Sequence, residues 1–278
     1  MTERRFEMDN RPIGVFDSGM GGLTALRQLV RLVPNENIIY FGDTGRVPYG
    51  ARSSDTIIKY ARQDMSFLME FDPKAILIAC GTVSTTALPV LMREYDLPVY
   101  GVVEPAVTAA LKATKNNRIG IIGTKATVRS GSYAEMIRYL NRDIEVFTKA
   151  CPLFVPLVED GRVQPDDPVL KFLIDEYLSE MVEANVDTVI LGCTHYPLLS
   201  DAIGTYLGSG VKLIDTGLES SLALREHLQK RELLSGKTGS GSISYYVSDS
   251  AADFKALASV FLGSEIVQDV HRVDIDKY

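Results

Sequence analysis

Short apolar runs alternate with amphipathic stretches along nearly the whole chain. Runs at residues 13–16, 37–41, 75–79 and 98–102 read as buried strands, and stretches near 23–33, 53–71, 85–95 and 104–114 read as helices. A second series repeats the pattern. It opens with a strand at 118–124 and continues with a helix near 128–140, a strand at 144–149 and a long helix near 168–184. A strand at 188–192, a helix near 198–207, a strand at 211–214 and a helix near 218–233 complete it. Beyond a Gly/Ser/Thr-rich linker at 236–242, a last strand, helix and strand over 243–267 are expected to complete the first sheet. The two series correspond by pattern rather than by close identity. Near-continuous apolar strands separated by helices predict an α/β fold with mostly parallel sheets covered on both faces. Two domains are expected: 1–102 with 214–278, and 103–213.

Ligands of such folds bind beyond the carboxyl ends of the strands. There, two of the three cysteines occupy matching places. Cys80 follows the run 75–79 and Cys193 follows 188–192, and each precedes a small polar stretch and a helix-like segment. With the halves face to face, a thiol stands on either side of one cleft, which suits a proton leaving one face of a carbon while another arrives at the opposite face. A helix N-terminus worth up to ~2 kcal/mol lowers a thiol pKa by ~1.5 units, so the dipole alone is expected to supply a competent base. His195, two residues after Cys193, adds an imidazole that could steady a thiolate or relay a proton. A satisfied structural histidine is the plainer alternative. Cys151 reads as a buried small hydrophobe.

Other chemistry competes for these residues. Gly19-Met-Gly21-Gly-Leu-Thr24 misses a dinucleotide fingerprint by its last glycine, and Asp43 sits near the place of a ribose-binding acid, so an NAD-dependent oxidoreductase is one reading. Against it, Asp17 heads the loop and would repel a pyrophosphate. A cysteine hydrolase using Cys80 or Cys193 with His195 leaves the second thiol idle. A noncatalytic ligand-binding protein would need neither thiol. Three cysteines and one nearby histidine lack the paired spacings of structural zinc, so no metal is expected.

Composition narrows the setting. The 278 residues suffice for two small cores, and 29 Lys and Arg against 36 Asp and Glu give a charge of −7, which argues against a nucleic-acid surface. The first twelve residues have no apolar core of the signal-peptide kind, and no apolar run approaches a membrane span. A cytoplasmic protein with free thiols and no membrane or nucleic-acid partner is expected.

Five ordered motifs then carry a resemblance. Phe16-Asp-Ser-Gly-Met-Gly-Gly22, Asp43 with Pro48-Tyr-Gly50, Ala79-Cys-Gly-Thr-Val-Ser84, Ile122-Gly-Thr124 and Gly192-Cys-Thr-His-Tyr-Pro197 resemble those of the glutamate racemases, in the aspartate/glutamate racemase superfamily. The likeness extends from about Arg11 to Val267. It implies two pseudo-symmetric α/β domains with the active site between them, and cofactor-independent interconversion of L- and D-glutamate that supplies peptidoglycan synthesis. It further implies that Cys80 acts on the D-enantiomer and Cys193 on the L-enantiomer, assisted by Asp17 and His195. Asp17, Ser18, Pro48, Tyr49, Gly50, Gly81, Thr82, Thr124, Glu159, Thr194 and His195 are the expected substrate-binding residues, with Glu159 as a polar neighbour of His195. Hydroxyls of Ser18, Thr82, Thr124 and Thr194, with backbone amides, would stabilise the carbanion in a cleft that closes and expels water. The expected partner is the small-molecule substrate, glutamate; a homodimer is an open alternative to a monomer. Aspartate racemase is the nearest competing activity.

One position departs from the family. Asparagine commonly follows the first catalytic cysteine, and here Gly81 stands there. Restoring it by Gly81→Asn is expected to tighten glutamate binding by ~1 kcal/mol for one hydrogen bond, unless the loop has adapted to glycine and any Cβ strains it.

Overall fold

The computed structural model describes residues 9–266 and 268–278. Residues 1–8, part of the stretch expected to lack a signal-peptide core, and Val267, the predicted end of the last strand, lie outside them. The first series folds as β1 (Ile13–Asp17), α1 (Leu23–Leu32), β2 (Ile38–Gly42), a 3₁₀ turn at Tyr49–Ala51, α2 (Ser54–Met69), β3 (Ala75–Ile78), α3 (Gly81–Thr86), α4 (Leu88–Glu94), β4 (Val99–Tyr100) and α5 (Val103–Ala113). The second runs β5 (Arg118–Gly123), α6 (Lys125–Ser130), α7 (Ser132–Leu140), β6 (Glu145–Ala150), α8 (Phe154–Glu159), α9 (Pro168–Glu183), β7 (Thr188–Leu191), α10 (Ser200–Leu207), β8 (Lys212–Asp215) and α11 (Thr216–Lys230). The chain then returns through β9 (Ile243–Val247), α12 (Ala251–Leu262) and β10 (Val270–Arg272).

All strand pairs are parallel, in a six-stranded sheet of order β10-β9-β2-β1-β3-β4 and a four-stranded sheet of order β6-β5-β7-β8. Both sheets reverse their winding direction beside their first strand, between β1 and β3 in one and between β5 and β7 in the other. A crevice opens at such a switch point. Cys80 and Cys193 each stand two residues past the last paired residue of β3 and β7, Ile78 and Leu191. The alternation of short apolar runs thus places both thiols at the same point of two sheets. One apolar cluster, with Val15 and Leu77 from the first sheet and Ile122 and Leu191 from the second, spans both; separate clusters around Phe16 and around Ile119 cover the remaining faces.

Five features differ from the sequence pattern. The helix predicted at 85–95 is two helices: the Cys80 sulfur caps the Val83 N–H, so α3 starts immediately, and Pro89 in the first turn of α4 favours a fresh start there. The helix predicted at 128–140 breaks at Gly131, whose φ of +70° ends α6 before α7 begins. Phe154–Glu159 forms a helix that Pro156 within it and Pro152 just before it disguise. The last strand, expected within 243–267, lies at Val270–Arg272 and does extend the first sheet, at its edge. The boundary expected at 213/214 falls inside β8, where Leu213 and Ile214 both pair with β7.

Candidate active site

The carboxyl ends of the two sheets enclose a cavity of about 430 Å³. Cys80, Cys193, Asp17, Ser18, Pro48, Tyr49, Gly50, Gly81, Thr82, Thr124, Glu159, Thr194 and His195 all line it. Cys151 does not; it is buried with its Sγ 3.7 Å from the Lys149 carbonyl. A larger cavity of about 820 Å³ lies between α5 and α11 and contains neither thiol, so the chemistry belongs to the smaller one.

The Cys80 side is built from the ends of β1 and β3. Ser18 Oγ lies 3.1 Å from Cys80 Sγ, and the Val83 N–H points at the same sulfur at 3.5 Å. Asp17 is buried, with one carboxylate oxygen taking the Gly19 N–H at 3.1 Å. Burial pushes the Cys80 thiol up to about 12, the charge of Asp17 adds to this, and hydrogen bonds from Ser18 and Val83 only partly oppose it. The expectation that the helix end alone makes a competent base therefore fails at Cys80: α3 is a single short helix, and desolvation of a 5 % exposed sulfur outweighs its dipole. Burial raises the Asp17 carboxyl as well.

The Cys193 side is different in kind. Cys193 Sγ and Thr194 Oγ1 stand 3.9 and 3.4 Å from His195 Nδ1, and the opposite ring nitrogen, Nε2, meets Glu159 Oε1 at 3.1 Å. Burial disfavours the charged imidazole, yet the hydrogen bonds with Cys193 and Glu159 prevail and push it up to about 10. A cation is thus held beside this thiol at neutral pH. The same relay would suit a cysteine hydrolase, but that reading gives Cys80, across the cavity, no work.

Close backbone approach explains the glycine loop. A Cβ on Gly21 would stand 2.2 Å from Thr194 Oγ1 and 2.5 Å from His195 Nδ1, so this glycine lets the β1–α1 loop seat against the Cys193 turn. That use, rather than pyrophosphate binding, accounts for the near-fingerprint, and the oxidoreductase reading loses its motif. Hydrogen bonds tie the two halves together around the cavity: Thr24 Oγ1 donates to the Thr194 carbonyl at 2.8 Å, and Thr82 and Thr124 hydroxyls meet at 3.0 Å. Thr124 also caps α6 through the Thr127 N–H.

Several lining residues were not legible. Lys125 follows Thr124 with no motif of its own, Pro152 reaches the cavity from the turn before α8, and Val155 and Pro156 do so from α8 itself, a helix that the pattern did not announce. Tyr49 lines the wall, but its hydroxyl is turned into the protein, donating to Asp43 and, at 3.3 Å, to Asp64. Among the described residues, no three His, Cys, Asp or Glu side chains are grouped to hold a metal ion, and no helix is long and apolar enough to cross a membrane.

Comparison with known proteins agrees with this architecture. The Asp/Glu/Hydantoin racemase family profile matches residues 18–219. The chain is 44 % identical to a glutamate racemase of Geobacter metallireducens over 96 % of its own length and 97 % of the relative's. The crystal structure of a glutamate racemase from Francisella tularensis in complex with D-glutamate superposes with a TM-score of 0.90 at 40 % identity, covering 98 % of this chain and 100 % of that one. A glutamate racemase isoform from Bacillus anthracis gives a TM-score of 0.91 at 34 % identity, covering 96 % and 98 %. The chain therefore belongs to the Asp/Glu/Hydantoin racemase family, among its glutamate racemases.

Proposed function

We propose that this protein interconverts L- and D-glutamate without a cofactor, by proton transfer between the substrate α-carbon and two thiols. The observation that carries the reading is the placement of Cys80 and Cys193, both nearly buried, at equivalent ends of two sheets facing one cavity. In each direction one thiolate takes the α-proton and the other thiol returns one to the opposite face, so every turnover uses both sulfurs. Cys80 serves the D-enantiomer and Cys193 the L-enantiomer.

The two bases are prepared differently. Cys193 has the charged His195 and Glu159 behind it. Cys80 has Asp17 nearby, which opposes its ionisation in the empty site. The substrate ammonium, drawn toward that buried carboxylate, offsets its charge and lowers the cost of the Cys80 thiolate. Hydroxyls of Ser18, Thr82, Thr124 and Thr194 serve the carboxylates and the carbanion charge in a site from which water is excluded. The reading extends to supply of D-glutamate for peptidoglycan synthesis by a cytoplasmic enzyme, with a homodimer as the assembly to test by sedimentation.

The deciding experiment follows racemisation of glutamate and aspartate in deuterated water by dialysed protein with nothing added. Glutamate should turn over in preference to aspartate, the product should carry α-deuterium, and early recovered substrate should remain protiated. Cys80→Ser and Cys193→Ser should each suppress both directions. Return of the original hydrogen to the product, or full activity in either serine variant, would rule out two opposed thiols.

A further inference from the structure

Five consecutive residues, 47–51, form one wall of the cavity. Their side chains grip the interior at a single place. The Tyr49 hydroxyl donates to Asp43 and Asp64, and the preceding Arg46 reaches the same acids, with Nε 2.6 Å from Asp43 and Nη2 2.8 Å from Asp64. Arg46 Nη1 also donates to Gln63 at 2.6 Å, and its guanidinium lies 4.1 Å over the Tyr60 ring. Asp43 follows β2, Asp64 and Gln63 belong to α2, and Ser248 beyond β9 donates to Asp43 at 2.7 Å. Neither acid is exposed, and none of Asp43, Arg46 and Asp64 lines the cavity.

Such a cluster is costly to bury. Tyr49 could instead bury its ring alone, so the polar cluster calls for a further role. It gives the wall a fixed distance from β2, α2 and β9, all of which belong to or pack on the sheet that carries Cys80. Burial holds the Asp64 carboxyl well above its ordinary range, with the charge of Asp43 adding to this. The hydrogen bonds, rather than any net charge, are what fix the wall.

We propose that Arg46 and Asp64 are positioning residues for substrate binding, holding the 47–51 wall at the separation glutamate requires through the Tyr49 hydroxyl. The proposal rests on the glutamate reading only for the identity of the ligand; the wall and its tether do not depend on it. Because one wall serves both enantiomers, loosening it acts on L- and D-substrate alike, unlike a change at either thiol.

Tyr49→Phe removes only the tether and leaves the ring and the Arg46 pairs. Its KM should rise by of order 10- to 100-fold for both enantiomers, by one common factor, as expected when a binding element is misplaced by about 1 Å. Asp64→Leu should do the same, whereas Asp64→Asn, whose amide oxygen accepts from Arg46 while its NH2 can donate to the Tyr49 oxygen, should stay close to wild type. Hydrogen–deuterium exchange should quicken at residues 45–53 in Tyr49→Phe and stay unchanged elsewhere, whatever the substrate. A wild-type KM in Tyr49→Phe, a rise confined to one enantiomer, or exchange that quickens throughout the protein would overturn the proposal. Failure of the wild type to act on glutamate would instead remove the functional reading, and the exchange measurement would still judge the tether.

Discussion

Gly81 is a point of close approach between the two halves of the site. A Cβ there would stand 2.3 Å from the Gly192 carbonyl oxygen, about 1 Å inside ordinary contact. Gly192 cannot retreat: its N–H is bonded to the Ile122 carbonyl at 2.7 Å, and a Cβ of its own would meet that oxygen at 2.7 Å. The gain expected from Gly81→Asn is therefore corrected by the structure, since the side chain that would add a hydrogen bond cannot enter without parting the two sheets. Overpacking of this kind costs about 1–3 kcal/mol, and if closure over substrate bears it, kcat/KM of Gly81→Ala falls by roughly 5- to 150-fold. Alanine is the better helix residue by up to ~1 kcal/mol, which offsets part of the cost in the free protein, so the melting temperature should fall by only a few degrees. Steady-state racemisation with circular dichroism detection, alongside thermal melts of Gly81→Ala and Gly81→Asn, separates the two effects. An unchanged kcat/KM in either variant, or a fall explained by lost folded protein, would refute the steric account.

Four further outcomes follow from other parts of the structure. His195 should titrate near 10 by NMR, and lower in Cys193→Ser, which removes the first of the hydrogen bonds that raise it; a wild-type value at or below the ordinary 6.5 would contradict the relay. Because this pKa is raised on folding, the stability it confers is complete below about pH 6.5 and is lost as pH rises through about 10, so melting temperatures should decline across that window, less steeply in Glu159→Gln. Cys151→Ser should retain wild-type kcat and KM, because Cys151 is buried outside the cavity; loss of activity in a folded variant would give that thiol an unassigned role. Lys74, buried against Glu36 at 2.6 Å and donating to the Asp9 and Leu233 carbonyls, should cost about 3–5 kcal/mol in urea unfolding when replaced by methionine, with the KM of the folded enzyme unchanged.

Much of this protein is written in its local sequence. A strand buried on both faces must be a continuous apolar run, so β1, β2, β3, β5 and β7 are visible at once, and the residue that follows such a run lies where ligands bind. That is why Cys80 and Cys193 could be named from the chain alone. Asp17, Thr124 and Glu159 were assigned to the site through the family motifs, and the short helix that carries Glu159 contains a proline and has no clear period. Three things required the tertiary structure, because each depends on atoms distant in sequence. The ionisation of Cys80 is governed by desolvation and by Asp17, some sixty residues earlier, rather than by its own helix. The Tyr49 hydroxyl, which a motif would assign to substrate, is turned inward by Asp43 and Asp64. Gly81 reads in sequence as a lost amide, yet in space it is the gap through which Gly192 approaches, since van der Waals contact between two sheets leaves no periodicity in either.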